Sequence, residues 1–101
     1  MHLIQLLLPV RDNEGVPFGT DPLAEVTRTL SKRFGGITAY TRAPAEGRWE
    51  AGGATHHDDM LVIEVMVDEI DTAWWSKVRQ QLELTFRQER IIIRAQSISL
   101  L

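Results

Sequence analysis

Apolar and polar positions recur along this chain with two different periods, and the order of those periods sets out the fold. Residues 2–8 (HLIQLLL) form an apolar run broken only at Gln5 and closed by Pro9, which fits a strand. The next ten residues, RDNEGVPFGT, concentrate the turn formers Gly, Pro, Asp and Asn. Asp21 then stands as a candidate N-cap, with Pro22 suited to the first helical position. Leu23, Val26, Leu30 and Phe34 follow at spacings of three and four, one apolar stripe along a helix. Gly35-Gly36 supplies the stop, because glycine accepts the left-handed backbone common at helix ends.

Residues 37–42 (ITAYTR) are β-branched and aromatic enough for a second strand. From Ala43 to His57 the composition shifts to Ala, Pro, Gly and charge around a solitary Trp49, predicting a long hairpin connection with room for a short extension of either strand. Met60–Asp68 (MLVIEVMVD) is the strongest strand of the chain. Asp71 is the candidate cap of a second helix whose buried stripe is Trp75, Val78, Leu82 and Phe86. Ile91–Ile98 (IIIRAQSI) makes the last strand. No internal repeat or low-complexity tract interrupts the series.

The resulting order, βαββαβ, predicts an α+β ferredoxin-like sandwich: a four-stranded antiparallel sheet with its first and third strands in the middle. Right-handed crossovers place both helices on one face. A length of 101 residues accommodates this as a single domain over 1–101.

One sheet face is therefore covered and the other bare, and strand parity assigns residues to each. Leu61, Ile63, Val65 and Val67 form an unbroken apolar set and are assigned inward, as are Ile4, Leu6 and Leu8, Ile91, Ile93 and Ala95, and Ile37, Ala39 and Thr41. The outward set still contains Leu3, Leu7, Met60, Val62, Met66, Ile92 and Ile98. Such a face is too apolar for water, since large contiguous apolar patches mark interaction sites. The simplest cover is a second copy, giving a homodimer. A one-residue parity error in any strand would reverse that strand's assignments.

Four polar residues fall among these outward positions, and the expected strand order runs them across the sheet as Arg94, Gln5, Glu64, Tyr40. A carboxylate on a covered face must be paired, hydrogen-bonded or protonated. Gln5, Tyr40, Glu64 and Arg94 thus admit two readings. One is a small-molecule pocket with Glu64 as acid or base and Arg94 as anion clamp. The other is an interfacial network that fixes the register of a dimer.

Charge and composition narrow the function classes. The net charge of −3 argues against binding nucleic acid through its phosphates, which needs a basic face. The apolar N-terminal run is halted by Arg11 and Asp12, too short to cross a bilayer and without the basic flank of a signal peptide. With no cysteine there is no disulfide, thiolate metal site or cysteine nucleophile, which fits a cytoplasmic protein.

Other chemistry-bearing residues lack the spacing their chemistry needs. His56-His57-Asp58-Asp59 holds four metal-ligand types, but neighbours in an extended segment point opposite ways and no second cluster has zinc-type spacing. No metal or cofactor is expected. Gly35-Gly36 follows a helix, whereas a phosphate loop precedes one. The serines lack a nucleophile context. Trp74 and Trp75 are about 100° apart on a helix, so Trp75 is core and Trp74 lies at the boundary. Trp49 fits an anchor on a partner, a lid over the bare face, or packing on its own hairpin.

The run Phe34-Gly35-Gly36-Ile37-Thr38-Ala39-Tyr40, then Arg42 to Gly47 and Trp49, with the later IEVMVD, Trp74-Trp75 and FRQE, resembles a group of small bacterial proteins of unknown function. The resemblance spans most of the chain and implies a ferredoxin-like, dimeric protein. It brings no catalytic residues with it. Two function classes follow: a homodimeric interaction or ligand-sensing module, or a small dimeric α/β-barrel enzyme working in the cavity between two sheets.

Overall fold

The covered face of the sheet is built from residues that leave almost nothing to water. Ile4, Leu6, Leu8, Ile63, Val65 and Val67 are buried together with Val26 and Leu30 from one helix and Trp75 and Leu82 from the other. Because one core cluster joins both helices to alternate residues of the central strands, both helices lie on the same face. The computed structural model describes residues 1–51 and 54–101, with side chains described for 1–39 and 60–101.

The elements are β1 (His2–Pro9), α1 (Asp21–Phe34), β2 (Thr38–Ala51), β3 (Ala54–Val67), α2 (Thr72–Thr85) and β4 (Ile92–Ser97). Four strands pair antiparallel in the order β2-β3-β1-β4. This is the ferredoxin-like α+β arrangement, with the first and third strands central. Parity in the central strands is as the alternation predicts: Leu6 and Ile63 face each other in register and each is fully buried. Toward the edges the helices cover less, and Ala39 on β2 and Ala95 on β4, both assigned inward, are exposed.

Local signals start and stop the helices. Asp71 caps α2, its carboxylate accepting the Trp74 backbone N–H at 3.0 Å. α1 begins one residue earlier than the cap signal suggested. The Thr20 carbonyl accepts the first helical bond, from Ala24 N at 2.9 Å, which places Asp21 inside the first turn. There its charge still complements the positive helix end. Gly35 terminates α1 at φ 79°, and its N–H donates to Ser31 O at 2.8 Å. At the far end Phe34 stacks on Trp75 with ring centroids 5.5 Å apart, locking the two helices together.

One expectation is overturned. Residues 43–57 are not a long loop: β2 and β3 are each 14 residues, and their pairing continues to Ala51 opposite Ala54. Pro44 is accommodated because β2 is an edge strand and its register shifts between Tyr40 and Ala45. β1 pairs with β3 only over Met60–Val67, so the segment Ala54–Asp59 has β2 as its one described strand neighbour. Among the described residues no helix is long and apolar enough to cross a membrane.

Candidate functional site

On the uncovered face, register lays the outward residues in transverse rows. Gln5 on β1 stands opposite Glu64 on β3 and Arg94 on β4. The Arg94 Nε donates to the Gln5 side-chain oxygen at 2.9 Å, and the Gln5 amide nitrogen donates to a Glu64 carboxylate oxygen at 2.7 Å. A glutamine amide has one accepting and one donating end, so it can join a cation to an anion without leaving either end unmatched. Arg94 is exposed while Gln5 and Glu64 are half-buried.

The fourth member of the row is not Tyr40. Thr38 occupies the position opposite Glu64, and Tyr40 stands two pairs further along, opposite Val62. The pairing of β2 starts at Thr38, straight after the glycine turn, and that offset sets which residue reaches the row. The side chains of Tyr40, Trp49, His56, His57, Asp58 and Asp59 lie outside the described residues. In backbone register Trp49 is opposite His56 and Arg48 opposite His57. Among the described residues no group of three or more His, Asp or Glu side chains could hold a metal ion.

Mainly apolar rows flank the polar one. On one side Leu3 pairs with Met66 and, on β4, with the exposed Gln96; on the other Leu7 pairs with both Val62 and Ile92. Met66 is 55% exposed and Ile92 46% exposed, while Leu3, Leu7, Met60, Val62 and Ile98 are half-buried. A charged, hydrogen-bonded row between two mainly apolar ones is the chief chemical feature of this surface.

At one end of the polar row the surface dips. An open hollow of about 480 Å³ lies between the bare sheet and the turn that follows α1. Its apolar walls are Leu3, Met66, Phe34 and Ile37, and Gly35-Gly36, Thr38 and Glu64 complete it. The sequence placed Glu64 on this face but gave the two glycines only a helix-stopping role. Three segments distant in sequence meet here, and no local pattern announces that meeting.

No protein-family model and no curated protein sequence matches the chain. Solved structures do resemble it. A phage SAM lyase in complex with S-methyl-5'-thioadenosine superposes with TM-score 0.63 at 15% identity, over 95% of this chain and 80% of that one. The divalent cation tolerance protein Cut A1 of Thermus thermophilus gives TM-score 0.62 at 12% identity, over 99% of this chain and 86% of that one. CutA1 of Pyrococcus horikoshii gives 0.60 at 11% identity, over 100% and 86% respectively. At such identities the likeness establishes the shared fold.

Proposed function

We propose that this chain is a small self-associating module that pairs with a second copy through the bare face of its sheet. The observation that carries this reading is the row Arg94–Gln5–Glu64, positive at one end and negative at the other, set between mainly apolar rows. The fold hosts both a lyase and cation-tolerance proteins, so function has to be argued from the surface itself.

The row is self-complementary. A two-fold axis lying between the sheets and running along β1 reverses the cross-strand order while keeping each row on its own counterpart. Arg94 then meets the partner subunit's Glu64, Leu3 meets its own counterpart, and Met66 is set against Gln96 at the β4 end of the same row. An axis perpendicular to the strands would instead set arginine on arginine, which is repulsive. Electrostatics therefore selects one mode of isologous pairing.

Apolar burial supplies the drive. Fully covering a large aliphatic side chain is worth ~1.5–3 kcal/mol. Met66 and Ile92, each about half exposed, retain about half of that to gain. Association costs ~4–15 kcal/mol of lost freedom, so the half-buried Leu3, Leu7, Met60 and Val62 must contribute from both copies. Burying the two charged ends costs desolvation, which the pairing of each Arg94 with the opposite Glu64 across the two-fold offsets.

Sedimentation equilibrium over a wide concentration range tests the reading, alongside native mass spectrometry of protein purified without added ligand. The expected result is a dimer that Met66→Glu or Ile92→Glu converts to a folded single copy. A chain that sediments as a single copy at every concentration overturns it.

A further inference from the structure

We propose that the outer edge of β4, with the cleft between it and α2, binds an extended peptide of another protein by strand addition. The peptide it fits carries an acidic residue and, two positions on, a large aliphatic one.

The edge is open and the direction of its backbone groups is fixed. No described strand lies beyond β4. Ile98 N donates to Met1 O at 3.0 Å, so the backbone groups of Ile98 face β1, and by alternation so do those of Ile92, Arg94 and Gln96. Those of Ile93, Ala95 and Ser97 point away from the sheet and find no partner among the described residues. Two residues upstream of Ile93, Ile91 N donates outward to the Glu83 carboxylate at 3.0 Å, which agrees with that alternation and closes the near end. Natural edges are commonly guarded by lysine, proline or a bulge. β4 (IIRAQS) has none of these, and its one charge, Arg94, is bonded to Gln5.

Beside this edge α2 stops short of covering the sheet, and Ala95, on the helix side of β4, is exposed. An open hollow of about 220 Å³ lies there, with Ile70, Trp75 and Ile93 as apolar walls and Thr72, Ser76 and Arg79 as polar ones. A strand laid along β4 sends every second side chain into it. The apolar walls take the aliphatic side chain. No acid lines the hollow, and Arg79 commits only its Nη1 to Glu83, at 3.1 and 3.2 Å. Its other nitrogens are left for a carboxylate on the incoming strand.

A second copy is the wrong occupant. Its β4 contains an arginine and no acid, so it offers nothing to Arg79. Pairing there as well as through the bare face would also make each chain a two-way link in an assembly that never closes. The bare-face pair leaves the lane beside β4 free, because a two-fold along β1 sets the partner subunit's β2 beneath that lane rather than in it. All pairs in this sheet are antiparallel, and the added strand continues the series. Its cleft-side residues are then the ones that exchange hydrogen bonds with Ile93, Ala95 and Ser97.

The test titrates acetyl-Ser-Thr-Asp-Thr-Leu-Thr-Ser-amide into the full chain and follows amide hydrogen exchange by NMR. The expected result is saturable binding that slows exchange at Ile93, Ala95 and Ser97, whereas Ile92, Arg94 and Gln96 are already slow in the free protein. Lysine in place of the peptide's aspartate should weaken binding at least ~10-fold. N-methylation of its leucine, whose N–H points at β4, should abolish binding, and N-methylation of the threonine that follows should not. Ala95→Pro removes one outward N–H and spares the ladder to β1, so it should lose the peptide while near-UV circular dichroism is unchanged. The peptide-side changes decide the matter even where that variant does not fold. Indifference to the aspartate or to leucine N-methylation, or no saturable binding, overturns the assignment. So does protection of the three outward amides in the free protein that fades on dilution, the mark of a second copy on the edge. Binding should persist in the Met66→Glu single copy, so this proposal and self-association fail separately.

Discussion

The Gln5 amide nitrogen lies 2.7 Å from a carboxylate oxygen of Glu64, directly opposite it on the adjacent central strand. Its other end accepts from Arg94, so one neutral side chain satisfies an anion and a cation at once. Gln5→Ala removes both bonds while leaving the strand intact. At ~0.5–1.5 kcal/mol net per hydrogen bond, and with Arg94 exposed enough to regain water, the expected loss is roughly 1–2 kcal/mol. Urea unfolding at neutral pH measures it, and a change below about 0.3 kcal/mol would show that the relay contributes nothing to stability.

The two faces of the sheet should respond oppositely to truncation. Ile63 is fully buried under the helices, and Ile63→Ala should cost ~2–5 kcal/mol through lost transfer energy and the cavity left behind. Ile92, on the bare face, is 46% exposed, and Ile92→Ala in a dilute single copy should cost well under ~1.5 kcal/mol. Denaturant midpoints of both variants, taken at low protein concentration, check the contrast. Equal losses would mean the parity is misassigned.

Asp71 does two things of unequal weight. Its carboxylate caps α2 at Trp74 N, and it also pairs with Arg33, both partners being substantially exposed. A cap is worth ~1 kcal/mol, whereas an exposed ion pair is worth ~0–1 kcal/mol and is screened by salt. Asp71→Ala should therefore lower the melting temperature by several degrees, about 4–8 °C per kcal/mol in a domain of this size. Asp71→Asn, which keeps an accepting oxygen, should lower it far less. If the two variants melt together, the ion pair rather than the cap is the stabilising part.

Asp12 ties the loop after β1 to the end of α2. Its carboxylate accepts the Val16 and Glu14 backbone N–H groups, each at 2.9 Å, and pairs with Arg87 at 3.2 Å. The Val16 bond foremost, then the Glu14 bond and the Arg87 charge, hold its pKa below the ordinary carboxyl value of 3.8. A lowered folded-state pKa means the ionised form is favoured by folding. Its contribution is present above the unfolded-state value and fades as pH falls through the folded-state value. Asp12→Asn should thus be less stable than the parent at neutral pH, and the two should converge under strongly acid conditions. An NMR titration placing the Asp12 midpoint at or above the ordinary value would refute this.

Much of the fold is legible in the sequence where a physical signal repeats. Leu61, Ile63, Val65 and Val67 announce their face because one side of β3 is wholly apolar, and the stripe Leu23, Val26, Leu30, Phe34 announces α1 in the same way. The outer reach of the hairpin is not legible. Ala54–Asp59 has no β1 partner, so it carries no alternation for a reader to find. The row that Tyr40 joins is not legible either, because a register is fixed by where pairing starts, which composition does not encode. The tie between Asp12 and Arg87 joins residues 75 apart and leaves no local trace. The same holds for the hollow, where Leu3, Phe34 and Met66 come from three separate segments.

β1 lies between β3 and β4, and its pairing with β4 is carried one step beyond the strand by Ile98 N donating to Met1 O at 3.0 Å. During translation this leucine-rich strand emerges well before β4, and its second edge is sealed only once residues 92–97 have cleared the ribosome. α1, β2, β3 and α2 must all be made before the backbone groups on that side find their partners. Premature termination anywhere ahead of β4 would leave a sticky central strand with one flank open, a product fit for the protease rather than for partial function.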